Sequence, residues 1–240
     1  CAAMNPELPY AGPAPASPAG RDALVGVVRA AHPLAAVIEA AARGSWPADD
    51  GGWTVFPSWR PGLGAVVAFT GHSFICTDRP PAHTVLAALG CDGFGGATLP
   101  AVLTRLARGG QVDCLDVLLA ARGRALADPP LRPRPDLADH PRAVHARWSR
   151  DEVTTYGYAD PARADVATVG RGPAGLLSIG VEAQTPGFGS TLFRDLLDTL
   201  PAQLVLAGVA PGNARSLRSA LAAGMVPIGS IQLFAIGSGR

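Results

Sequence analysis

The chain alternates between short apolar runs and turn-forming clusters, and the period of each run predicts its element. From Arg21 to about Arg43, apolar residues recur at Leu24, Val27, Val28 and Ala31, and again at Leu34, Val37, Ile38 and Ala41. That is the spacing of one helical face. It is broken near His32-Pro33 into two helices, because the residue before a proline disfavours helical backbone. Three apolar runs follow at Trp53–Phe56, 65–70 and 73–77, the last two joined by a tight turn at Gly71-His72. They predict strands that include a hairpin. Residues 84–89 and Pro100–Ala107 predict short helices, and 112–121 a long apolar strand.

Between Asp128 and Asp136 the chain is rich in Pro and Arg, the composition of a connector. Beyond it, 143–148, 153–158 and 165–169 are expected as short strands and 176–181 as a stronger one. A glycine-bearing loop leads to a helix over 190–200, then a strand at Leu204–Val209, a helix over 214–223 and a last strand over 228–236. Strands first and strand–helix alternation later predict a mixed α/β sheet flanked by helices. The Pro/Ala-rich residues 1–20 predict an extended tail. The expected organisation is therefore that tail, an N-terminal α/β lobe over 21–127, the connector over 128–142 and a second domain over 143–240.

Composition narrows the chemistry. All twenty basic Lys+Arg residues are arginine, so no phosphate-loop lysine, pyridoxal Schiff base or Ser-Lys dyad is available. The net charge of +1, without a basic tract, predicts no nucleic-acid partner. Cys1, Cys76, Cys91 and Cys114 lie far apart, with no CxxC and no His at a zinc spacing, so they read as free thiols with no metal site. The uncharged run 219–239 is interrupted by Gly224, Pro227, Gly229, Ser230 and Gln232. A helix end, a turn and a strand fit it better than a membrane span. Met4 reads as the natural start, with no secretory segment ahead of it. A soluble, cytoplasmic monomer or homodimer without membrane contact is the expectation.

The most informative stretch is 176–193, a strand running into Gln184-x-x-Gly187-x-Gly189 and then a helix. Glycines there let successive N–H groups and the positive helix N-terminus converge, which makes an anion cradle suited to a phosphate. A dinucleotide fold is excluded. Its third glycine would be Leu192, and after Asp198 the chain has no Asp or Glu to hold a ribose.

The stretch resembles the pyrophosphate loop of the GNAT N-acetyltransferase superfamily. The resemblance continues through the strand Leu204–Val209, the Asn-headed helix at Asn213 and the closing turn at Gly224-Met225, covering about 165–240. It implies a GNAT-type mixed sheet, with the N-terminal lobe supplying missing elements or forming a degenerate second copy. It further implies acyl transfer from acetyl-coenzyme A, the only cosubstrate, to a small-molecule or peptide amine by direct attack. The alternative is a catalytically inactive, coenzyme-A-binding or interaction module on the same scaffold. The implied cofactor-binding residues are Ile179, Val181, Gln184, Gly187, Phe188, Gly189, Ser190, Thr191, Asn213 and Ser216. The backbone N–H near Val181 is the implied oxyanion donor, and the strands at 176–181 and 204–209 are expected to splay around the pantetheine arm.

Three departures stand out. Ala220 replaces the family's frequent tyrosine acid, Gln184 replaces its arginine, and Pro186 removes a donor from the loop. Candidates for general base or acid are Glu182, at the strand end beside the cradle, and Tyr156 and Tyr158, which alternate onto one face of a strand. Glu182 also reads as a solvated strand-end carboxylate and the tyrosines as half-buried packing residues. Glu152, the histidines, the turn 92–96 and the Arg215/Arg218 pair read as caps, turns or solvated faces.

Overall fold

The computed structural model describes residues 31–238, so the expected tail and the first of the two expected helices lie outside the described residues. In chain order the elements are α1 (Pro33–Ala42), β1 (Trp53–Phe56), β2 (Leu63–Phe69), β3 (His72–Cys76), α2 (His83–Ala88), α3 (Pro100–Ala107), β4 (Val112–Arg122) and β5 (Arg132–Pro133). Then come α4 (Pro141–Ser149), β6 (Asp151–Gly157), β7 (Val166–Arg171), β8 (Leu177–Glu182), α5 (Gly189–Thr199), β9 (Leu204–Val209), α6 (Ala214–Ala222) and β10 (Val226–Ala235).

Local chemistry explains the boundaries. Pro33 opens α1 with its fixed φ, and His32 Nδ1 accepts from the Leu34 N–H at 3.2 Å. The β2–β3 hairpin needs Gly71 at φ +73°, where a Cβ would collide with Asp49. His72 then pins β1 to β3, with Nδ1 2.7 Å from Asp50 Oδ1 and Nε2 3.0 Å from Thr54 Oγ1. One expectation is overturned: 143–148 is helix, inside α4, not strand. Pro141 at its first turn and His140, whose ring accepts from the Arg142 N–H at 3.1 Å, start that helix. Ala143 and Ala146, three apart, form its buried side.

The strands of the described residues join in one mixed sheet ordered β1-β3-β2-β10-β4-β9-β8-β7-β6-β5. Only β1–β3 and β8–β9 are parallel. The last strand, β10, lies between β2 and β4 and is antiparallel to both, while β4 lies between β10 and β9. The two halves of the chain therefore interleave. The segment 128–142 adds β5 to the far edge of the same sheet and begins α4.

Helices cover both faces. On one, α1 packs Leu34 and Ile38 against Ala65, Val67, Leu118 and Ile231, with Trp148 of α4 beside them. On the other, α5 and α6 pack Leu192, Leu196 and Ala220 against Leu119, Ile179 and Val205, and α3 packs Val102 and Leu106 against Val66 and Phe234. Cys76 and Cys91 are buried, free thiols, and burial pushes them up to about 12 and about 11. Among the described residues no helix is long and apolar enough to cross a membrane.

Because each half lends a strand to the other, neither should fold alone. Fragments 31–127 and 143–238, expressed separately, are expected to give collapsed amide NMR spectra and no cooperative thermal transition, whereas the full chain unfolds in one transition. A dispersed spectrum from either fragment would contradict the interleaved sheet as the unit of stability.

Candidate functional site

Two cavities meet where β8 and β9 separate. The parallel pair is in register at Leu177↔Val205, Ser178↔Leu206 and Ile179↔Ala207, and pairing stops there, although β8 runs on to Glu182 and β9 to Val209. Each strand stays with its outer neighbour instead: Glu182 pairs with Val166 of β7, and Val209 with Val117 of β4. That leaves a wedge between their ends, where neither strand pairs with the other.

At the end of β8 the chain enters the glycine turn. Asp165, buried, accepts from the Gln184 N–H at 3.0 Å and from Arg163 Nη2 at 2.8 Å, which anchors the start of the turn. The Phe188 N–H donates to the Thr185 carbonyl at 3.1 Å, and Gly187 takes φ +86°, a region closed to most side chains. Helix α5 begins at Gly189, with no acidic residue in its first turn and no side-chain cap. Among the described residues, the N–H groups of Gly187, Gly189, Ser190 and Thr191 have no acceptor. A cavity of about 260 Å³ lies over this turn, lined on one side by Val181, Glu182, Gln184 and Gly187 and on the other by Asn213, Arg215, Ser216 and Ser219. Gly189 keeps it open, since a Cβ there would stand 2.9 Å from Ser219 Oγ.

The expected site residues divide accordingly. Val181, Glu182, Gln184, Gly187, Gly189, Asn213 and Ser216 come together around this cavity. Ser190 and Thr191 contribute only the N–H groups at the helix start. Ile179 is buried, with its side chain in the core under α5. Phe188 is scaffold: the Arg163 guanidinium lies 4.7 Å from its ring and 3.4 Å from that of Tyr158. Asn213 caps α6, accepting from the Ser216 N–H at 3.1 Å.

The tyrosines are not at the site. Tyr156 and Tyr158 do share a face, but they pack against the core beneath α5 and line neither cavity. The Tyr158 hydroxyl donates to Asp195 Oδ2 at 2.5 Å, and burial, aided by that bond, holds its pKa above the ordinary value. Glu182 lines the cradle, half-exposed, with Arg142 Nε 3.5 Å from its Oε2. Ala220, where the family often has a tyrosine, is fully buried between α5 and α6 and has no room for one.

The second cavity, about 70 Å³, lies on the opposite face of the sheet beneath α4. Sequence reasoning missed its residues: Asp113 and Asp116 of β4, Arg142 and His145 of α4, and Arg150 just after that helix. Arg142 lines both cavities, and its buried Nε finds no hydrogen-bond acceptor. Arg150 reaches into the wedge, donating through Nη2 to the Ile179 carbonyl at 2.9 Å and through Nη1 to Thr168 Oγ1 at 3.1 Å. Two strand glycines make room for these charges. A Cβ on Gly208 would lie 2.7 Å from Asp116 Oδ2, and one on Gly180 3.3 Å from Arg150 Nη1. A signal was present in the sequence: strand alternation puts Asp116 on the face of Leu118 and Ala120, an acid at a core position. Nothing local announced Arg150.

Burial raises the Asp116 carboxyl to about 6; Asp113 adds to the rise and Arg150 opposes it. Burial lowers Arg150 to about 10, and lowers His145 as well. Among the described residues no cluster of His, Cys, Asp and Glu is arranged to hold a metal ion.

A carboxyl that titrates higher in the fold than in the unfolded chain contributes stability while it is protonated and loses it as pH rises from about 4 through about 6. Asp116→Asn should therefore be more stable than wild type at pH 7.5, on the order of 1 kcal/mol after allowing for partial exposure. That corresponds to a melting temperature higher by roughly 2–4 °C. At pH 4 the two proteins should melt together. Thermal melts at both pH values check this, and a less stable Asp116→Asn at pH 7.5 would mean the carboxylate is stabilised where it lies. No protein-family model, curated protein or solved structure matches this chain.

Proposed function

We propose that the protein is an N-acyltransferase of GNAT type that moves an acetyl or related acyl group from its coenzyme A thioester to an amine. The observation that carries this reading is the coincidence of two features: strands that part after Ile179 and Ala207, and a donor-rich glycine turn at the end of one of them. The wedge suits an extended arm that needs backbone partners, and the turn suits the pyrophosphate at its end.

The residues present fit such a group. Four unpaired N–H groups face the start of α5, Arg215 and the hydroxyl residues Ser216 and Ser219 line the facing wall, and Gly189 leaves space that a side chain would fill. The Glu182 charge is offset by Arg142. Acetyl-coenzyme A, when bound, supplies an activated acyl carbon as a thioester. The chain's part is to hold the diphosphate at Gly187–Thr191 and to aim an N–H of β8 near Val181 at the carbonyl oxygen, where negative charge develops during attack. Direct attack by an amine needs no enzyme nucleophile.

A second reading, coenzyme A binding without turnover, is favoured by Ala220, which leaves no tyrosine acid at its position, and by Arg150, which already occupies part of the wedge. Calorimetry and an amine-panel turnover assay separate the two readings. Wild type should bind acetyl-coenzyme A, and Gly189→Val, whose side chain meets Ser219, should bind it at least about tenfold more weakly with an unchanged melting curve, about 1.4 kcal/mol. Gln184→Ala should cost less, because the turn binds through its backbone. If Gly189→Val folds normally and binds as tightly as wild type, the turn is only a turn and the acyltransferase reading loses its main support. Tight binding without turnover across the panel would favour the second reading.

A further inference from the structure

The cavity beneath α4 is built from charges that are only partly compensated: Arg142 is shared with Glu182, 3.5 Å away on the cradle side. Among the described residues, Asp116 forms no ion pair, and Arg150 has a hydroxyl and a carbonyl as partners but no carboxylate. Arg142 adds a buried Nε without an acceptor. A folded chain seldom encloses a carboxylate and a guanidinium around one small cavity without a direct ion pair for either, because each uncompensated charge costs more than a hydrogen bond returns. Asp113, also on β4, adds a second acid, and His145 of α4 lines the same cavity. The arrangement is polarised, with acids on the β4 wall and guanidinium groups on the side of α4 and β8.

We propose that this cavity binds a small amino carboxylate, its ammonium held by Asp116 and its carboxylate by Arg150 and Arg142. A plain amine would satisfy only the acids and a plain carboxylate only the arginines; a ligand carrying both charges a few atoms apart satisfies all three groups. The cavity of about 70 Å³ takes a head group of that size, with any longer side chain leaving through the mouth.

The inference deepens the acyl-transfer reading and, as a statement about the acceptor, rests on it. The cavity and the glycine turn share Arg142 and meet at the wedge, so an amine held at Asp116 lies on the other side of the strand gap from the thioester. In that setting the ammonium passes one proton to Asp116. The nitrogen lone pair then forms the C–N bond as the thioester C–S bond breaks, and the second amine proton goes to the departing thiolate. Asp116, the carboxylate that holds the ammonium in this arrangement, is the group that takes the proton.

The test is calorimetry on the full chain without coenzyme A, using glycine, L-alanine, methylamine and acetate as probes. Glycine and alanine should bind at least about tenfold more tightly than methylamine or acetate. Asp116→Asn should abolish amino-acid binding, and Arg150→Gln should reduce it to the level of methylamine. Gly208→Ala, which presses on Asp116 Oδ2 but removes neither charge, should weaken it as well and guards against misreading a folding defect in the charge variants. Equal binding of methylamine and glycine, no binding of any probe, or an Asp116→Asn variant that binds as wild type does would each overturn the proposal. An acetyl-coenzyme A titration of the same preparation keeps the two claims apart. Amino-acid binding without coenzyme A binding upholds this site and sinks the acyltransferase reading, and the reverse sinks this site alone.

Discussion

A backbone N–H or C=O inside a sheet must have a partner, and β8 and β9 cease to provide one another's after Ile179 and Ala207. They part because each is committed elsewhere. Antiparallel pairing holds β8 to β7 through Glu182 and β9 to β4 through Val209, so the outer neighbours draw the two ends away from each other. The wedge is thus enforced from outside, and its position depends on β4, a strand from the N-terminal half, lying next to β9. That placement in turn requires β10 to close the gap between β4 and β2. The interleaving of the two halves is the condition for the wedge, and the wedge is the condition for both cavities.

The chemistry of the site runs against stability. Gly180 and Gly208 sit one residue beyond the last paired positions, where a side chain would have helped pack the sheet. Their absence of a Cβ admits Arg150 and Asp116, and burial disfavours the charged form of both. What offsets this is the packing on either side: the cluster under α1 and the cluster under α5 and α6 meet across the sheet at Leu118, Leu119 and Leu206, all fully enclosed. On the cradle side the same logic recurs at smaller scale. Asp165, Arg163, Tyr158 and Phe188 form a polar and aromatic brace that fixes the turn, and the tyrosine that looked chemical is part of that brace.

Much of this was legible in the residues themselves. Short apolar runs marked β2, β3, β8 and β9, the alternation of strand and helix marked α5 and α6, and the glycines of 184–189 marked a turn whose N–H donors converge on one point. The misreadings share a cause. Residues 143–148 carry apolar side chains at both spacings, so only His140 and Pro141, acting as helix starters, and burial of Ala143 and Ala146 distinguish helix from strand. Tyr156 and Tyr158 were correctly placed on one face, but whether that face met a cavity or a helix depended on α5 packing there. Ala220 was read as a missing acid, yet its helix turns that position into the core.

What the sequence alone determined was local: the backbone preferences of glycine and proline, the periods that select strand or helix, and the absence of lysine that closes off whole mechanisms. These follow from sterics within a few residues. Which strands become neighbours, and so which charges face one another, was decided only by the tertiary structure. Asp116 and Arg150 lie thirty-four positions apart, and Asp116 and Gly208 ninety-two. No local preference links such positions. They meet because backbone hydrogen bonding threads β10 and β4 between strands of the opposite half, and that register is chosen by the whole sheet at once.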